Sequence, residues 1–157
     1  MVIYTFKKDS KARRQSVLDD YWLRKVVGPI AIEPMLKVLL EMIASTPPSF
    51  GTEEFSEAAL SEYHQKYLKA LSDLAINSSS LSIIDPTLAA STALEIDQIQ
   101  DLMIEYCATN KKMHSTDDLH LGHDRRSFQV LIQARLVDLL KPIRTYQEHK
   151  VGKNIGV

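Results

Sequence analysis

Asp124 to Tyr146 reads DRRSFQVLIQARLVDLLKPIRTY. Phe128, Leu131, Ile132, Leu136, Leu139, Leu140 and Ile143 recur in it at steps of three and four, the spacing that lines side chains up on one broad stripe of an α-helix. Gln129, Gln133, Asp138, Lys141 and Arg144 fall between them as the wet face. A fully buried large apolar side chain is worth roughly 1.5–3 kcal/mol, so such a stripe does not stay in water and other helices must cover it. Pro142 breaks the period and predicts a kink, or a helix end near Leu140.

Working back along the chain, the covering helices come into view. Asp85-Pro86 joins an N-cap acid to a proline at the first helical position and predicts a helix to about Ala108. Leu94, Ile96, Ile99, Leu102, Met103 and Tyr106 are expected inward, and Glu95, Gln98, Asp101 and Glu105 outward. Residues 77–84, NSSSLSII, read as a polar connector with a small apolar plug. Thr52 is the expected cap of a long helix to about Ile76, with Glu53, Glu54 and Glu57 at its positive end. Leu60, Tyr63, Tyr67, Leu71 and Leu74 form its apolar seam. STPPSFG at 45–51 is a loop, since two prolines and a glycine cannot continue a helix. Pro34 opens a helix to about Ala44 that is apolar nearly all round and reads as the most buried of the set.

Ser10 is the expected cap of a first helix to about Val27, with Val17, Leu18, Tyr21, Trp22 and Val26 on its apolar face and Gly28-Pro29 as its stop. Ahead of it VIYTF, residues 2–6, is β-prone but has too little behind it to build a sheet, and it reads as an extended arm over 1–9. The expectation is one all-α domain over 1–157, a bundle of about five helices with that arm and a flexible tail over 150–157.

Composition narrows the class. Hydrophobic content of 45% and charged content of 25% are those of an ordinary globular chain. The net charge of −1 conceals a polar layout: +4 over residues 1–26, −1 over 27–52, −8 over 53–105 and +4 over 106–157. Basic ends about an acidic middle favour pairing of opposite patches, within the molecule or between molecules. Cys107 is the only cysteine, which excludes an intrachain disulfide, and its apolar neighbours favour a buried, inert thiol. No apolar run approaches the roughly 18 residues of a membrane span, and the N-terminus has no apolar core of a secretory signal. Asp9, Asp19 and Asp20 argue against a mitochondrial presequence, so the cytoplasm is the expected location.

Two candidate sites emerge. His114, His120 and His123 fall within ten residues, beside Asp117, Asp118 and Asp124, and His with Asp can ligate zinc, manganese or iron. The plainer reading is a helix-capping loop, because Ser, Thr and Asp are what capping demands. His123-Asp124 resembles the His-Asp dyad of the all-helical metal-dependent phosphohydrolases. That resemblance covers two residues and implies a further upstream His and downstream Asp, for which His64 and Asp138 are loose candidates; it does not assign the chain to that family. The second site is electrostatic. Lys111, Lys112, Arg125 and Arg126 flank the same loop, and two guanidinium groups at a helix N-terminus make a sensible anion site. Lys7, Lys8, Lys11, Arg13 and Arg14 are a second basic group able to meet acid or phosphate.

No glycine-rich phosphate loop, nucleophile elbow or catalytic cysteine context is present. The sequence therefore points to a non-catalytic helical interaction protein, an adaptor, regulator or subunit, that needs no cofactor and pairs with another protein or itself. A nucleic-acid-associated protein using 7–14 and 111–126 is one alternative. A metal-dependent hydrolase around His120, His123 and Asp124 is the other.

Overall fold

The computed structural model describes residues 21, 23–113 and 124–152. Residues 1–20, with the expected arm and the basic group from Lys7 to Arg14, lie outside the described residues, as do 114–123 and 153–157. The described residues are all-helical, with no strand among them. In chain order they are a π-helical segment Leu23–Ile32, α1 Glu33–Ala44, α2 Glu57–Ser78, a 3₁₀ turn Ser79–Ile83, α3 Pro86–Met113 and α4 Arg125–Gly152.

The expected stop at Gly28-Pro29 is not there: helical winding runs through both residues and straight into α1. A proline ring collides with the carbonyl four residues back in an α-helix, and the wider π winding carries that carbonyl away from it. Ala31 of this segment packs with Leu81, Leu88 and Ile143 in a small second core.

In α1 the buried residues are Met35, Leu39 and Met42, a single four-and-three stripe, while Leu40 is 56% exposed. The sequence predicts the most buried helix of the set unless one face meets a partner; among the described residues its neighbours cover one side, and Leu40 lies on the other. Its C-terminal carbonyls are met by side chains. Tyr63 Oη donates to Met42 O at 3.0 Å and Ser45 Oγ to Glu41 O at 2.7 Å.

The next helix starts later than expected. Thr52 Oγ1 donates to Ser49 O inside a turn where Gly51 takes φ +87°, and Ser56 is the cap, its Oγ accepting from Ala59 N. The seam from Leu60 to Leu74 is buried as its spacing predicts. The serine run that follows keeps winding because Ser78, Ser79, Ser80 and Ser82 each donate to the carbonyl three residues back. Of the small apolar plug expected here, Leu81 is fully buried while Ile83 is exposed.

Asp85 caps α3, its Oδ1 accepting from Thr87 N at 2.7 Å and Leu88 N at 3.2 Å. The helix passes Ala108 and is described to Met113. Its buried stripe is Leu88, Thr92, Ile96, Ile99, Met103 and Tyr106, so Leu94, two positions from both Thr92 and Ile96, falls on the opposite side and is 56% exposed rather than inward. The helix end expected near Leu140 is not there: α4 runs through Pro142 to Gly152. Ile143, buried in the second core just beyond the proline, holds the helix on course.

α3 and α4 pack antiparallel along their length. Tyr106 stacks on Phe128 at 4.3 Å, Gln98 meets Arg135, and Leu88 meets Ile143. The main core joins the α1, α2 and α3 stripes to Phe128, Ile132 and Leu139, so the stripe that organises the sequence also organises the molecule.

Candidate functional site

The first sequence-predicted site centres on the start of α4, and the chain has satisfied much of it internally. Asp124 Oδ1 accepts from Ser127 N at 2.7 Å, and this backbone hydrogen bond, with smaller help from Arg126, holds the Asp124 carboxyl below the usual carboxylate range. Ser49 Oγ accepts from Arg125 N at 2.6 Å. Two of the N–H groups that would greet an anion are thus already engaged. The Arg125 and Arg126 side chains are exposed, and Lys111 stands 3.8 Å from Glu57. The backbone of Lys112 is helical in α3. His114, His120 and His123 lie outside the described residues, so the metal reading keeps only Asp124 among them. Among the described residues no group of three or more His, Cys, Asp or Glu side chains could hold a metal ion.

The Ser49 contact depends on how the loop between α1 and α2 is pinned. Asn110, 1% exposed, donates through Nδ2 to Tyr106 O and accepts through Oδ1 from Phe50 N, each at 2.8 Å. Tyr106 Oη donates to Pro47 O at 2.7 Å. Gln129 Nε2 reaches from α4 to Ile43 O at 2.8 Å. One end of the bundle is thereby laced by side-chain to backbone hydrogen bonds.

Hollows also lie elsewhere among the described residues. A small one of about 210 Å³ between α2 and α3 is lined by Leu60, His64, Ile104 and Cys107, with Glu57 and Lys111. His64 Nε2 is shielded there without a hydrogen-bond partner. Burial pushes the Cys107 thiol up to about 12, so it is no nucleophile near neutral pH.

The larger is a trough of about 840 Å³ between the first turns of α3 and the second half of α4. Asp85, Leu88, Ser91 and Glu95 line it from α3 and its cap, and Asp138, Lys141, Pro142 and Tyr146 from α4. Leu88, Pro142 and Tyr146 supply apolar surface, and three carboxylates face one ammonium. Lys141 Nζ donates to Asp138 Oδ1 at 2.6 Å. Glu95 has an 18% exposed side chain whose Oε2 is shielded and makes no hydrogen bond. Arg135 Nη1 pairs with it as an ion at 3.6 Å while donating a hydrogen bond to Gln98 Oε1. Glu95 and Asp138 read from the sequence as parts of wet helix faces. The signal for the trough was the pair of matching spacings, 85-88-91-95 and 138-141-142-146, which individually say only that each helix has another side.

Comparison with family models, with curated proteins and with solved structures found no match. Among the described residues no helix is long and apolar enough to cross a membrane.

Proposed function

We propose that the chain is a non-catalytic helical interaction protein, working as an adaptor, regulator or subunit of a larger assembly. The observation that supports this best is the trough between α3 and α4, an apolar-floored channel of about 840 Å³ between two helix faces. Space left between helices in a bundle is ordinarily filled by side chains, because interiors pack as densely as organic crystals. A channel with Leu88, Pro142 and Tyr146 on its walls, unfilled by the described residues, is a place for something else to pack. The chemistry elsewhere favours binding over catalysis: the Cys107 thiol is held protonated by burial, and Asp124 is occupied as a helix cap. Affinity capture of the tagged chain from its native cells, quantified against a tag-only control, tests the reading. The expected result is a protein recovered at near-equal stoichiometry. Recovery of nothing above the control, together with a strictly monomeric mass by light scattering, would overturn it.

A further inference from the structure

We draw no further inference here: the strongest candidate, the trough between the first turns of α3 and the second half of α4, has its acids met from within the chain, and nothing in the structure shows what covers it.

Discussion

Asn110→Ala is the perturbation that best tests how the α4 start is positioned. Asn110 is almost fully buried and joins two parts of the chain 60 residues apart, accepting from Phe50 N while donating to Tyr106 O. Truncation removes two hydrogen bonds, each with a net worth of about 1 kcal/mol, and leaves the Phe50 amide without its side-chain acceptor. An unsatisfied buried donor costs a further ~1–3 kcal/mol where water cannot reach it. The working figure is therefore a loss of about 3–5 kcal/mol, or about 2 where water reaches the freed amide, a large part of the stability of an ordinary domain. The assay is urea unfolding of wild type and variant, with Tyr106→Phe as companion because its hydroxyl holds Pro47 O of the same loop. The double variant should lose less than the sum of the single losses, since freeing the loop once removes much of what the second contact holds. The loop carries Ser49, which binds Arg125 N, so amide exchange in the first turn of α4 should accelerate in the same variants. A loss below ~0.5 kcal/mol, or strict additivity with unchanged exchange at Arg125, would refute the claim that this loop fixes the helix start.

Other expectations follow from burial and charge. Leu71→Ala and Leu139→Ala, both fully buried in the main core, should each cost about 2–5 kcal/mol in denaturant melts. Cys107, with its thiol pushed up to about 12, should resist alkylation in the native chain near neutral pH and react readily once urea unfolds it. The Cys107, Tyr63 and Tyr106 acids are all raised by burial, so above pH 9 the unfolded chain releases protons that the native one retains. Stability should then fall with rising pH from about 9 upward, as pH-stepped thermal melts would record. Replacing Arg125 and Arg126 together by Gln should shift stability by less than about 0.5 kcal/mol, because relief at the helix N-terminus offsets the lost attraction to Asp124. A clear gain in stability accompanied by lost, salt-sensitive binding of phosphate or a short nucleic acid would instead make the pair an anion site.

The elements that sequence periodicity made legible are those whose apolar stripe is long and unbroken. The seam from Leu60 to Leu74 is buried as spaced, the row from Phe128 to Ile143 buries Phe128, Ile132, Leu139 and Ile143 with Leu131, Leu136 and Leu140 half-buried, and Asp85-Pro86 starts its helix where capping chemistry says it must. Boundaries set by competition between local signals were not legible. Thr52 and Ser56 are both good caps, and Gly51 at φ +87° commits Thr52 to the turn, which leaves the cap to Ser56. Gly28-Pro29 and Pro142 are strong breakers locally, yet Ala31 and Ile143 just beyond them pack together against Leu81 and Leu88. That mutual burial outweighs the loss of one hydrogen bond at each proline. Asn110, invisible as a motif, owes its role to a loop 60 residues away.

The candidate site was less legible than the fold for a related reason. A helix wheel assigns each residue an inside or an outside, and Glu95, Asp138 and Lys141 are outside by that rule. A trough forms where the outer flanks of two neighbouring helices face each other, so it belongs to neither helix's pattern. It depends on the pairing of Leu88 with Ile143 and of Gln98 with Arg135, which fixes Glu95 and Asp138 on walls of one channel. The sequence does carry the electrostatic half of the result, in the net charge of −8 between residues 53 and 105. Asp85 and Glu95 are two of those acids, placed along the channel by the helix period. An acidic middle that reads as solvated surface in one dimension thus becomes, once α3 and α4 are paired, part of the wall of a lined space. Its three acids are met from within the chain: Asp85 caps α3, Asp138 accepts from Lys141, and Glu95 lies 3.6 Å from the Arg135 guanidinium.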